Sequence, residues 1–191
     1  MTRSNAREIA MHLIYAMDCT GEEPEEILNI RMAQEYYERL AEENDVYTDR
    51  PNRKQFDYIQ SILNGVQQQK DALNAYISKY AIGWNLGRIS RLAKAILQLA
   101  IYESLYVEDV PTSVAINEAV ELARKYDNED IVSFINGILG TFAREESLGD
   151  AKEVGADDEE QAEGEDPETA SSAQAELEAP DDEDNAHGFG D

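Results

Sequence analysis

Cysteine is almost absent from this chain of 191 residues, because Cys19 is its one thiol. A single thiol excludes an intramolecular disulfide and argues against a cysteine-ligated metal site. Long apolar runs are also missing, since no stretch approaches the roughly 18 apolar residues that a membrane span requires. His12 and Asp18 interrupt the apolar residues near the N-terminus, which argues against a secretory signal. These absences predict a cytoplasmic protein without a cofactor.

Basic residues are scarce as well. Lys and Arg number 16 against 41 Asp and Glu, which gives a net charge of -25. Residues 147–191 contain 17 acidic residues and one Lys, so this segment carries -16 of that charge and leaves -9 for residues 1–146. Its acidic runs are separated by Ala, Gly, Ser and Pro, a composition that predicts disorder. We therefore predict one folded domain at 1–146 and a disordered acidic tail at 147–191.

Apolar residues of the first 146 positions recur at helical spacing. Six of them fall at i, i+3, i+4, i+7, i+8 and i+11 in 6–17, and six more repeat this spacing in 131–142. The stretch 89–102 is apolar on nearly every face, which is typical of a central buried helix. A single long helix is predicted from about Pro51 to Tyr80. No segment alternates apolar and polar residues over the length of a strand, so the domain is predicted to be all-α.

Two short segments resemble each other. Ser61–Val66 and Ser133–Ile138 both place an Asn-Gly pair inside a helical pattern. Either an internal duplication or chance can account for a match of six residues. The duplicated interpretation predicts two related helical halves. In both segments the glycine is predicted to permit the close approach of another helix.

The groups needed for catalysis are missing from residues 1–146. A nucleophile needs a base beside it, and His12, the one histidine of this region, is interpreted as a solvated side chain. Glycine-rich phosphate loops between a strand and a helix are absent. The acidic cluster at 127–130 lacks the glycine and the distal glutamate of a calcium loop, so we interpret it as a helix cap. We predict no enzyme, no catalytic residue and no metal site.

Two blocks of sequence resemble the C-terminal signature of the NusB family. They are Ala115–Ala123 and, ten residues later, Phe134–Leu139. Ala95–Glu103 is similar to the central helix of that family, and Ala6–Glu8 to its first helix. The resemblance covers 2–144 and implies a compact bundle of about seven helices in two related halves. It implies a non-catalytic antitermination factor that binds the boxA element of nascent RNA together with the ribosomal protein NusE. Such a factor helps RNA polymerase, within an antitermination complex, to read through terminators in ribosomal RNA operons.

The resemblance also implies which residues bind RNA. Arg3 and Arg7 match basic contacts at the start of the first helix of the family, and Tyr15 and Tyr80 match its aromatic contacts. Arginine pairs with phosphate oxygens, and a tyrosine ring can stack on an unpaired base. For the two tyrosines, an ordinary packing role is the alternative.

The face that binds the protein partner lies around the central helix in the family. The resemblance therefore implies that Arg88, Arg91 and Lys94 contact the partner. Relatives often have a denser basic run at the N-terminus than this chain, so we expect its RNA binding to depend on the protein partner.

The sequence leaves two questions open, the alternative function of the helical domain and the role of the acidic tail. A helical scaffold that binds basic proteins and no nucleic acid is an alternative function, which the charge of -9 on residues 1–146 favours. The acidic tail either keeps the protein soluble or competes with RNA for the N-terminal arginines.

Overall fold

The structure is a computed structural model, which describes residues 1–146. Over this range the chain forms eight α-helices, two 3-10 turns and no strand. The helices are α1 Arg3–Thr20, α2 Pro24–Arg31, α3 Gln34–Glu43, α4 Arg53–Gln68, α5 Lys70–Tyr80, α6 Arg91–Tyr106, α7 Thr112–Tyr126 and α8 Glu129–Glu145. The all-α prediction is confirmed, with one helix more than expected. The predicted disordered tail lies outside the described residues.

The helices pack in two groups. In the first group α1 contacts α2 and α4, and α2 contacts α3 and α4. In the second group α5, α7 and α8 all contact α6, and α8 also contacts α5 and α7. Helix α6 joins the groups because it packs against α1 and α4 as well. Every side chain from Ala95 to Ile101 is buried, as expected for a central helix.

Side-chain caps fix where several helices begin. The side chains of Thr2, Asn52 and Ser90 accept hydrogen bonds from backbone amides in the first turns of α1, α4 and α6. Asn128 accepts from the amides of Asp130 and Ile131, so the interpretation of 127–130 as a helix cap is confirmed. Such caps satisfy amides that have no partner inside the helix.

The prediction of one long helix from Pro51 to Tyr80 is wrong. Helix α4 begins at Arg53 and ends at Gln68, and α5 starts again at Lys70. The joint, Gln69, has φ -99° and ψ 12°, outside the helical region. Neither proline nor glycine marks this joint, so nothing in the local composition indicates it.

The glycines of the two similar segments have different surroundings. A Cβ atom added to Gly65 would lie 1.9 Å from the Tyr102 hydroxyl oxygen and 2.0 Å from Tyr102 Cζ. Gly65 therefore allows the Tyr102 side chain of α6 to lie directly on the backbone of α4. Gly137 is exposed, and an added Cβ would have no neighbour within 4 Å. Close approach explains the first glycine and not the second.

None of the helices within 1–146 combines the length and the apolar character that crossing a membrane requires.

Candidate nucleic-acid interface

Arg7 lies inside the protein. Its side chain is 4% exposed, and its Nε and Nη2 donate to the two carboxylate oxygens of Glu103 at 2.7 and 3.0 Å. Its Nη1 donates to Glu118 at 2.7 Å, and the fully buried Glu103 also accepts from the Tyr58 hydroxyl at 2.7 Å. Burial would lower the pKa of Arg7, but the hydrogen bonds and charge of Glu103 outweigh it and hold that pKa above its ordinary value.

The Arg7 guanidinium group of α1 thus binds α6 and α7, and Glu103 connects α4 to them through Tyr58. Glu103 and Glu118 engage three of the five N–H donors of Arg7, and the side chain is almost wholly buried. RNA binding by Arg7 stays a prediction that this geometry does not support, and the proposal below does not use it.

Arg3, one turn earlier on α1, is the accessible arginine of the pair. Its side chain is 34% exposed, its Cζ lies 3.8 Å from the centre of the Tyr58 ring, and its Nη2 lies 3.6 Å from the exposed Asp109. Arg3 and the exposed Lys54 line a cleft of about 380 Å³. A phosphate group could replace the weakly held Asp109 there, because a loose surface pair contributes little stability.

Tyr80 is not placed as a stacking platform. Its side chain is buried, its ring packs edge-on against Phe142 at 6.1 Å, and its hydroxyl donates to Glu146 at 2.6 Å. Lys79 donates to the same hydroxyl and to Glu146. These contacts fix the end of α8 against α5. The RNA role expected for Tyr80 also stays a prediction without geometric support.

A cluster of cations surrounds Asp18 near the end of α1. Asp18 lies 2.9 Å from Lys94 Nζ, 3.7 Å from Arg91 Nε and 3.9 Å from Lys70 Nζ. We call these four residues the Asp18 cluster. Three cations share one carboxylate, which leaves a local charge of +2 on a domain whose net charge is -9.

Tyr15 lies beside this cluster. The Cys19 thiol, next to Asp18 on α1, raises the pKa of both Tyr15 and Arg91. The Tyr15 side chain is 41% exposed, as a ring that stacks on a base must be. The structure therefore brings together Tyr15, predicted to bind RNA, with Arg91 and Lys94, predicted to bind the partner. Arg88 is exposed on the 3-10 turn Leu86–Arg88, just before α6.

Sequence reasoning missed Asp18 and Lys70 of the cluster, and Cys19 beside it. Asp18 and Cys19 fall at i+3 and i+4 from Tyr15, so helical spacing alone places them on its face. Lys70 carries no such signal, because it belongs to α5 and reaches Asp18 only through tertiary packing. Arg3 and Tyr15 lie about 18 Å apart along α1, at a rise of about 1.5 Å per residue.

Sequence comparison places this helical body in a known family. A sequence model of the NusB family matches residues 4–144. The chain belongs to the NusB family. This NusB-family chain is 41% identical over 140 residues to the transcription antitermination protein NusB of Acetivibrio thermocellus, with 73% of this chain and 87% of the relative covered. The resemblance that the sequence motifs indicate is thereby confirmed.

Solved structures agree with the assignment. The NusB of T. maritima superposes with a TM-score of 0.63 at 27% identity and covers 76% of this chain and 92% of its own. A crystal structure of the antitermination factors NusB and NusE in complex with dsRNA has a TM-score of 0.60 at 20% identity, over 75% of this chain and 96% of that one. At that identity the second likeness shows the shared fold.

His12 of this NusB-family protein is not solvated, contrary to the sequence interpretation. Its Nδ1 lies 2.8 Å from the Tyr47 hydroxyl, and its Nε2 lies 2.9 Å from the Tyr126 hydroxyl. Tyr126 donates its own proton to Glu8, which also accepts from Lys125 at 2.6 Å. The Tyr126 oxygen therefore accepts from His12 Nε2–H, and Nδ1 accepts from Tyr47. Burial lowers the pKa of His12, although the charge of Glu8 opposes this effect.

We expect His12 to make stability depend on pH. Because its pKa is lower in the folded state than its ordinary value of 6.5, the unfolded state binds the proton more readily. The contribution is complete above pH 6.5 and is lost as the pH falls below that value, at a rate of up to about 1.4 kcal/mol per pH unit. Urea unfolding of the parent and of His12→Gln between pH 8 and pH 5 measures it. Parallel stability curves for the two proteins would contradict this assignment.

Proposed function

We propose that this protein is a transcription antitermination factor that binds boxA RNA together with NusE and promotes read-through of terminators in ribosomal RNA operons. Family membership over 4–144 carries the proposal. Its further partner is the RNA polymerase antitermination complex, and its place of action is the cytoplasm.

The RNA surface that we propose combines Tyr15 with the cations of the Asp18 cluster. Lys70, Arg91 and Lys94 offer more positive charge than Asp18 neutralises, so phosphate oxygens can bind beside it. The exposed Tyr15 ring supplies a stacking surface next to these cations. Arg3 extends this surface toward the start of α1. Arg88, Arg91 and Lys94 are all predicted from the sequence to bind NusE. In our proposal Arg91 and Lys94 bind RNA instead, and only Arg88 binds NusE.

We further propose that the protein acts as an adaptor and not as an enzyme. The ring nitrogens of His12 are both engaged by tyrosine hydroxyls, so this residue is not poised as a catalytic base. The name of the Acetivibrio thermocellus relative, transcription antitermination protein NusB, describes a transcription factor and no catalysed reaction.

The proposed RNA surface makes two different predictions for its two kinds of residue. Tyr15→Ala is expected to weaken binding of a boxA RNA by roughly tenfold, because one stacked base is lost. Lys70→Gln with Arg91→Gln should weaken boxA and scrambled RNA alike and reduce the salt dependence of binding, by roughly 0.7 in log–log slope for each lost phosphate contact. Lys94 is retained in this variant so that Asp18 keeps its nearest partner.

Fluorescence titration of labelled RNA in the presence of NusE, at several salt concentrations, measures both effects. Arg39→Gln with Arg53→Gln is the matched control, since it removes two exposed cations of α3 and α4, whereas the cations around Asp18 belong to α5 and α6. Equal losses in the control and in the cluster variant would contradict the proposed surface. The scaffold alternative predicts that the parent does not prefer boxA RNA over scrambled RNA, and the net charge of -9 on residues 1–146 is the observation in its favour.

A further inference from the structure

The Asp18 cluster and the C-terminal segment carry opposite charges. The cluster has a local charge of +2, whereas residues 147–191 have a net charge of -16. Asp18 itself shows that the three cations accept a carboxylate group at 2.9 to 3.9 Å. A second carboxylate would find the same donors that we propose for RNA phosphates.

The described part of the chain ends near enough for such a contact. Glu146 is bound to Lys79 near the end of α5, and Lys70 of the Asp18 cluster begins the same helix. The two lysines are nine residues apart, which is about 14 Å along the axis, and they project from opposite faces of a helix about 10 Å wide. The chain that leads from Glu146 to the Asp18 cluster must therefore cover both the distance along α5 and the distance around it.

The length of the acidic segment meets this requirement. Its first dense acidic run, Asp157–Glu160, begins eleven residues after Glu146. Eleven residues span up to roughly 36 Å when extended, which exceeds the path along and around α5. Attachment to the same chain also raises the effective concentration of these carboxylates at the cluster to roughly the millimolar range.

We propose that the acidic segment 147–191 binds the Asp18 cluster in the free protein and competes there with RNA. Bound carboxylates neutralise Lys70 and Arg91 until RNA, with its denser phosphate charge and its stacking bases, displaces them. The competition with RNA rests on the proposed function, whereas the binding of the segment to the cluster does not. The segment is thus proposed to compete with RNA at the Asp18 cluster, and not at the N-terminal arginines that the sequence hypothesis names.

Cys19 provides a direct test of where the segment binds. It is the one cysteine of the chain, it is exposed, and it directly follows Asp18 on α1. A nitroxide spin label on Cys19 of the full-length protein is expected to broaden the amide NMR signals of residues 157–166 at low salt. High salt, or Lys70→Gln with Arg91→Gln, should restore those signals, and Arg39→Gln with Arg53→Gln should not. Unbroadened signals at low salt, or broadening that survives in the cluster variant, would overturn the proposal.

The consequence for RNA is tested in a full-length variant whose acidic residues between 157 and 166 are replaced by Asn and Gln. We expect this variant to bind a boxA RNA roughly threefold to tenfold more tightly than the parent at low salt, and equally at high salt. Equal affinities at low salt would overturn the competition. If no variant binds RNA while the broadening from Cys19 persists, the proposed function fails and the binding of the segment to the cluster stands.

Discussion

Replacing Arg7 with leucine is expected to destabilise the folded protein by about 3–5 kcal/mol. The substitution leaves the carboxylate of Glu103 fully buried with the Tyr58 hydroxyl as its remaining partner. Removing one member of a buried ion pair has a cost of this size because the other charge stays buried and uncompensated. Urea unfolding followed by circular dichroism at pH 7 measures the loss.

Two comparisons identify the cause of that loss. Arg124→Leu removes an ion pair with Glu121 whose side chains are both more than half exposed, and it should cost at most about 1 kcal/mol. The double variant Arg7→Leu with Glu103→Leu should recover much of the stability, because no isolated buried charge remains. An Arg7→Leu protein as stable as Arg124→Leu would refute the buried network. A direct RNA contact would instead weaken RNA binding in a protein that unfolds at the same urea concentration as the parent.

Opposite effects are expected from the same substitution at the two similar glycines. Gly65→Ala should cost about 1–3 kcal/mol, because its new methyl group would overlap the Tyr102 ring and force this side chain or α4 to move. Gly137→Ala should stabilise the protein by about 0.5–1 kcal/mol, since it reduces the backbone freedom of the unfolded chain at an open position in α8.

The collision with Tyr102 can be tested separately from any general intolerance at Gly65. Tyr102→Ala in the Gly65→Ala background should recover part of the stability, because it removes the ring that the methyl group meets. Tyr102→Phe should not do so, since the ring carbon Cζ would remain 2.0 Å from the new Cβ. Additive losses in the alanine double variant would contradict this explanation.

The two glycines show how far the sequence can predict this fold. Periodicity reveals the helices, because burial on one face leaves its mark on nearby residues. The segments Ser61–Val66 and Ser133–Ile138 look alike in sequence, yet only Gly65 lies under a side chain of another helix. That difference depends on Tyr102, 37 residues further along the chain, so no local pattern can contain it.

The candidate site, too, can be predicted from the sequence only in part. Motif resemblance identifies Arg7 as a notable residue, but it cannot show that Glu103, 96 residues later, occupies its guanidinium group. Conversely, Tyr15 and Arg91 are both predicted to have a role, and only the packing of α1 against α6 shows that they share one surface. The sequence predicts which residues matter better than it predicts what each of them contacts.

The position of α6 has a consequence for the architecture as a whole. This helix follows α5 in the second group, yet it also packs against α1 and α4 of the first. A fragment cut between Tyr80 and Arg91 would expose the apolar surface of α1 and α4 in one piece and the apolar faces of α6 in the other. Neither piece is a self-sufficient domain, so the two should unfold together in one transition and, when separated, reassemble by complementation.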